Sequence, residues 1–435
     1  MNVFRTGVRV LVVALMATVA LPGFVLAGGP SQTSFQPVTA QAGPSGTFDA
    51  VAATEAYLAK VTAEQRARSD AYFEGGYWLQ LWGFLYGATV ALLMLATRLS
   101  ARMRDLAVRT TRIASLQTAL YWFQYLLATA ILSFPLTVYT GFIREHKYRL
   151  ATQSFGPWLG DQAKGLLVGA ILGGLALVAI YAVFRRAPRT WWLWGAGLSV
   201  FFAVIAMGVS PVFIEPLFNT YTPLKDESIR GPILRLARAN GIPAADVFVV
   251  DASKQTTRVS ANVAGFLGTQ RIALNDNLLK RCSLAEIESV MGHEMGHYVL
   301  NHVYKGIVEF GVLIVIGFAF LRWSFDRVSA RWGSRWGIAG IADVAGLPLI
   351  ALLLSVFFFA MTPVTNTMIR TQEAEADIFG LNAARQPDAE AEVDLMLGEY
   401  RKLKPGPLEE VLFFDHPSGY RRILMAMRWK AENLR

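Results

Sequence analysis

Cysteine is nearly missing. The 435 residues hold one, Cys282, which rules out an intramolecular disulfide and any thiolate-ligated metal cluster. Histidine is almost as scarce, with five in the whole chain, so metal chemistry here must draw on a few imidazoles and on carboxylates. Charge is sparse too. Charged residues make up 17% against 54% hydrophobic, and the mean hydropathy of +0.37 is too high for an ordinary soluble enzyme of this length.

What fills the chain instead is long apolar runs. Six reach or approach the ~20 helical residues that cross a hydrocarbon core. They cover 77–96, 116–136, 166–184, 191–214, 307–321 and 344–361. The last two are short, yet each continues without a break signal into a polar segment, so helices are expected to extend past the bilayer. Within these runs Glu309 is the one ionisable residue, a scarcity that argues against an ion pump or proton-coupled transporter. The small-residue spacing Gly169 to Gly173 reads as a close helix contact.

Around these runs the organisation is as follows. Residues 1–27 carry Arg5 and Arg9 ahead of an apolar stretch that runs into "VLAGG", which fits a cleavable signal or equally a first transmembrane helix. Residues 28–76 form a Gly/Pro/Ser/Gln linker and then a polar helix with a capping box at Thr62 and Gln65. Four membrane runs occupy 77–214, a soluble α+β insert 215–303, the last two runs 304–364, and a helical carboxy-terminal part 365–435. The expected fold class is therefore a mainly α polytopic membrane protein with six or seven transmembrane helices and an inserted α+β domain. The net charge of +9 comes from arginines dispersed in short loops, a topology signal and not a nucleic-acid footprint.

In the insert, "SIRGPILRLARAN" has helical spacing and stops at Gly241, while "DVFVVDAS" and "QRIALND" are short β-branched runs. Residues 281–303, "RCSLAEIESVMGHEMGHYVLNHV", read as one helix opened by a capping box of Ser283 and Glu286. On it His293 and His297 are four apart, so both imidazoles share a face and can grip one zinc ion. Glu294 stands beside them to take a proton from the water that such an ion activates, which is the chemistry of amide hydrolysis. His302 falls off the ligand face and reads as structural.

Catalytic zinc usually has a third protein ligand. His146, His416 and the carboxylates are the candidates. In "IRTQEAEADIFGL", after the last run, Glu373 and Asp377 are four apart on an expected helix, with Glu375 off their face. Glu373 can complete a His, His, Glu set and Asp377 can accept a hydrogen bond from the outer nitrogen of a ligand histidine. The plain alternative is a solvated acidic face. Counted at ~1.5 Å per residue, His297 and Glu373 lie roughly 15 to 18 Å along helices leaving the membrane, so they are expected to meet near the bilayer surface.

The ordered set "DVFVVDASKQTTRVSAN", "QRIALNDNLL", "HEMGHYVLNH", "RTQEAEAD" and "DHPSGYRRI", with apolar runs between, resembles the type I CAAX prenyl proteases, integral-membrane zinc endopeptidases, and more distantly the bacterial heat-shock membrane proteases. The resemblance implies a ring of seven transmembrane helices around a water-filled chamber, capped by a zincin-like domain. It implies one Zn2+ per chain on His293, His297 and Glu373, with Glu294 as general base and Asp377 bonded to a ligand histidine from behind. His416 would hydrogen-bond the tetrahedral oxyanion with Arg422 in support. Asn262 would precede an edge strand whose backbone at Val263 and Ala264 pairs with a substrate peptide.

The implied partners are a peptide or membrane-protein substrate and the lipid bilayer, without nucleic acid, and the expected state is a monomer. Eukaryotic members trim prenylated CAAX proteins; the signal-like start here suggests a bacterium, so the chemistry transfers more directly than the client. The alternative is a catalytically silent zinc-binding scaffold or chaperone. A scaffold would need the ligands but not Glu294, and its presence favours the enzyme.

Loop charge gives an orientation. The side reached after the first run carries Arg98, Arg102, Arg104, Arg109, Arg112, Arg185, Arg186, Arg189, Arg322, Arg327, Arg331 and Arg335. The short loop on the insert's side carries Arg144, Lys147 and Arg149. The positive-inside rule then puts the catalytic domain on the periplasmic face of a bacterial inner membrane, as do Arg5 and Arg9.

Overall fold

Apolar runs become helices because a helix satisfies its backbone N–H and C=O groups internally where no water can do so. The computed structural model describes residues 48–264 and 271–434. The amino-terminal apolar stretch, and with it the choice between a signal and a seventh helix, lies outside the described residues. After α1 (Ala50–Leu58) comes α2 (Ala63–Ala96), in which the polar stretch and the first apolar run are one helix. Thr62 and Gln65 cap its start reciprocally. Then follow α3 (Leu99–Thr110), α4 (Ala114–Lys147), α5 (Phe155–Arg186) and α6 (Trp191–Leu217). Pro135 and Pro211 each remove a main-chain donor, and α4 and α6 take a π turn nearby, at Tyr139–Ile143 and Ser210–Ile214.

The insert forms a four-stranded sheet and its helices. β1 (Tyr221–Pro223) leads to α7 (Glu227–Ala239), which ends at Gly241 with φ +71°. Next come β2 (Val247–Val250), β3 (Ala261–Ala264), β4 (Arg271–Asn275) and α8 (Asp276–Arg281). Strand order is β1-β2-β4-β3, with β2 and β4 parallel and the two outer pairings antiparallel, so β3 is an edge. Asn262 lies within β3, opposite Ala273, and does not precede the strand as expected. Ile233, Ile272, Leu274, Met291 and Met295 fill the space between sheet and helices.

Two sequence expectations need correction here. Residues 281–303 are not one helix: α9 (Leu284–Val299) ends, Asn301 adopts the left-handed conformation at φ 57°, and α10 (His302–Trp336) begins in a new direction. Asn tolerates this conformation better than most residues, which makes it a stop that hydrophobic periodicity does not show. His297 is therefore not on a continuation of the fifth membrane helix, and the height estimate does not apply to it. The sixth run is likewise broken. α11 (Leu347–Ala360) and α12 (Thr362–Ala384) are bent by 56°, at a point where Pro363 cannot donate to Phe359. Among the described residues five helices, α2, α4, α5, α6 and α10, are long and apolar enough to cross a membrane, or six if the bent pair is one span.

The helices pack around Trp122, Tyr121, Tyr125, Tyr181 and Phe325. The expected close contact at Gly173 is with a ring: a Cβ there would lie 2.5 Å from Trp122 Cζ2. The same indole donates to the carbonyls of Gly169 and Ala170. The chain closes with α13 (Pro387–Leu397), α14 (Pro407–Phe413), which packs on α12, and α15 (Gly419–Asn433); α13 and α15 pack with α1 around Tyr57, Leu395 and Met427.

Candidate active site

Local sequence first fixes α9. Ser283 and Glu286 cap its start in both directions, so the helix begins at a defined residue and the phase of everything after it is set. Its face then carries Gly292, His293, Gly296 and His297. The two glycines let α12 approach closely. A Cβ on Gly292 would meet the Gly380 carbonyl at 3.0 Å, one on Gly296 would meet Ala376 Cα at 3.1 Å, and one on Gly380 would lie 2.8 Å from the backbone nitrogen of His293. Only residues this small permit the crossing, and the crossing carries Glu373 to the histidines.

Ligand atoms of His293, His297 and Glu373 all lie within 4.8 Å of one another. The two Nε2 atoms are 3.1 Å apart, and Glu373 oxygens stand 3.3 Å from His293 and 3.9 Å from His297. Glu373 is buried at 1% exposure and neither of its oxygens has a hydrogen-bond partner. An ionised carboxylate in that state is costly unless a cation compensates it. Two imidazoles and one such carboxylate are a donor set that fits a zinc-type ion with a position left open.

Behind the histidines stand further groups. Asp377 Oδ1 lies 2.7 Å from His293 Nδ1. Arg422 grips both oxygens of Asp377 and also reaches Glu390 and Asp394, all buried. Burial opposes a charge on His293, but the Asp377 and Glu373 carboxylates together outweigh it and push the imidazole up to about 10. Burial instead keeps His297 well below the ordinary value, hence neutral with a lone pair to offer. Burial raises Glu294, next along the chain from His293.

His416 meets the same Glu373 oxygen as His293, with Nε2 3.2 Å from Oε2, and its Nδ1 lies 2.7 Å from Asp415. Asn262, on the open edge of β3, has a buried Oδ1 with no hydrogen-bond partner among the described residues. The backbone of Val263 and Ala264 continues that edge, and β3 lies against α9. His146 bonds the Phe142 carbonyl, remote from this cluster in the contacts it makes. Cys282 is partly buried, and desolvation pushes its thiol up to about 12 and leaves it inert as a nucleophile at neutral pH.

Several contacts had no sequence signal. His302, read as structural, has its Nδ1 2.8 Å from Nδ1 of His297, and its Nε2 2.9 Å from Glu375. Asn275 and Asn277 donate to the Arg258 carbonyl, and Asn277 also to that of Thr256, pinning the segment that feeds β3. The Arg258 guanidinium is buried against Tyr72 and Glu145, which fastens that segment to the membrane helices. Motif residues of the insert were visible in the sequence; their partners, more than a hundred residues away on α2 and α4, were not.

Comparison with known proteins agrees along the chain. Residues 223–430 match the model of peptidase family M48, and residues 50–220 match that of the CAAX prenyl protease N-terminal region, five membrane helices. An uncharacterized metalloprotease, YhfN, of Bacillus subtilis (strain 168) is 33% identical over 310 residues, which span 71% of this chain and 72% of the relative. CAAX prenyl protease 1 of Saccharomyces cerevisiae is 27% identical over 312 residues, 68% of each chain. The crystal structure of S. mikatae Ste24p superposes with a TM-score of 0.72 at 24% identity, covering 85% of this chain and 89% of that one, so the fold is shared.

Proposed function

The chain belongs to peptidase family M48, and from that premise we propose that this integral membrane metalloendopeptidase is zinc-dependent and cleaves extended peptide segments of lipidated or membrane-tethered substrates. One observation carries the reading: ligand atoms of two imidazoles and a buried carboxylate lie within 4.8 Å of one another, beside β3, an edge strand among the described residues. The names of the relatives, CAAX prenyl proteases, support the substrate class.

His293, His297 and Glu373 hold one ion per chain. When bound, zinc lowers the pKa of a water and polarises the scissile carbonyl. Glu294 takes the proton from the attacking water and hands it to the leaving amine, and its raised proton affinity suits both steps. His416, oriented by Asp415 at its Nδ1, donates from Nε2 to the carbonyl oxygen as charge develops there. Arg422 locks Asp377, and Asp377 fixes the ring of His293. The substrate backbone adds to β3 at Val263 and Ala264, and the Asn262 amide oxygen accepts one of its N–H groups.

The protein acts as a monomer in a bacterial inner membrane with this site on the periplasmic side. The mechanism is tested by Glu294→Gln in the detergent-solubilised full chain, with an internally quenched apolar peptide as substrate. Zinc content should stay at one per chain by elemental analysis while cleavage is lost. Cleavage within about tenfold of the parent would sink the mechanism, since losing a general base costs about 10²- to 10⁴-fold.

A further inference from the structure

The two candidate ligand histidines are not held in the same way. His293 has a carboxylate directly behind it, whereas His297 has another imidazole, His302, whose far nitrogen meets Glu375. We infer that His302 and Glu375 form a two-step positioning relay that fixes the tautomer and ring orientation of His297 and thereby sets how tightly the site holds its metal ion. The inference rests on the reading of His297 as a ligand.

Donor and acceptor counting gives the direction of each bond. Two Nδ1 atoms 2.8 Å apart share one proton. Nε2 of His297 faces His293 and Glu373, where a ligand must present a lone pair, so the proton of His297 sits on Nδ1 and His302 Nδ1 accepts it. His302 then carries its own proton on Nε2 and donates it to Glu375 Oε2 at 2.9 Å. Lys305 Nζ, 2.6 Å from the same oxygen, keeps that carboxylate charged and in place. The opposite order would put the proton of His297 at the metal position and, with His302 neutral, leave a bare lone pair facing a carboxylate. Both contacts of the relay pair a donor with an acceptor, and leave the His297 Nε2 lone pair free for a metal ion, only in the first order.

Placement favours the relay as well. His302 is the first residue of α10, set there by the left-handed Asn301, and is buried at 4% exposure. The sharp stop between α9 and α10 is what folds its ring back against His297. Glu375 projects from α12 on a face different from that of Glu373, so α12 contributes to both ends: a ligand in front and a carboxylate at the end of the relay.

The test measures zinc affinity of the full-length protein in detergent by competition with a chromophoric chelator, and the visible spectrum of the cobalt-substituted form. His302→Phe keeps a ring but loses the acceptor; it should weaken zinc binding by about 10- to 100-fold and shift the cobalt bands. His302→Asn places an amide oxygen near the old Nδ1 position and should recover affinity to within about threefold of the parent. Glu375→Ala, at a half-exposed position that tolerates substitution, should weaken binding by up to about tenfold. Parent-like affinity and spectrum in His302→Phe would overturn the relay, as would equal loss in His302→Phe and His302→Asn, which would mean packing alone. His297→Ala separates the two readings: if it retains full metal the ligand assignment itself fails, whereas loss there with no change in His302→Phe removes only the relay.

Discussion

Asp377 is a residue whose effect on the site is indirect. It touches His293 on one side and the two-pronged guanidinium of Arg422 on the other, so removing its charge leaves all three ligand atoms present while freeing one ring to turn and leaving Arg422 with Glu390 and Asp394. Asp377→Asn should keep the fold and lower zinc affinity or turnover by roughly 10- to 100-fold, read by the same chelator competition; affinity and rate equal to the parent would contradict the role. At this scale the sequence was most legible where spacing alone puts side chains on one helical face, as for His293 with His297 and Glu373 with Asp377. It was silent on His302, Asp415 and Glu390. His302 and Glu390 find their partners where distinct helices meet, Asp415 faces its neighbour His416, and a left-handed Asn301 separates the helix of His297 from that of His302.

Between elements, the crossing of α9 and α12 decides whether the ligands converge. Gly380 has no room for a side chain, with a Cβ only 2.8 Å from the His293 backbone nitrogen. Gly380→Leu should therefore force the helices apart by about an ångström or more, and misplacement on that scale costs about 10²-fold in rate. Peptide cleavage and zinc stoichiometry should both fall, while Gly169→Ala, at a position with nothing within 4 Å of the new methyl, should be silent. A Gly380→Leu enzyme with parent zinc content and rate would show that the close approach is dispensable. The glycines were in plain view in "MGHEMGH", but which helix they admit was not. Helix starts were legible through their capping boxes. The two breaks, at Asn301 and at the α11–α12 bend, escaped because a single left-handed residue and a bend beside Pro363 leave no mark in hydrophobic periodicity.

For the whole molecule the open question of orientation has a physical handle. Arg322, Arg327, Arg331 and Arg335 lie on the last turns of α10, and their guanidinium groups stack on Trp192, Trp323 and Trp332, an arrangement suited to a lipid headgroup layer. Arg104 ties α3 to the turn after α10 through Asp343. If this arginine-rich end is cytoplasmic, an alkaline phosphatase fused after Arg435 should be active in a bacterial host and a green fluorescent fusion dark; the reverse pair would turn the molecule over. The threading of the chain has its own consequence. The histidines are on α9 and Glu373 is on α12, and α10 and α11 come between them in the chain, a hairpin of two legs if the bent pair α11–α12 is one span. A nascent chain thus exposes an incomplete donor set until that hairpin has inserted and α12 has returned to the same side. On the proposed function, latency follows from the order of synthesis: the third donor of the set arrives last, so a chain still being inserted would lack the complete site while its freshly made neighbours are exposed.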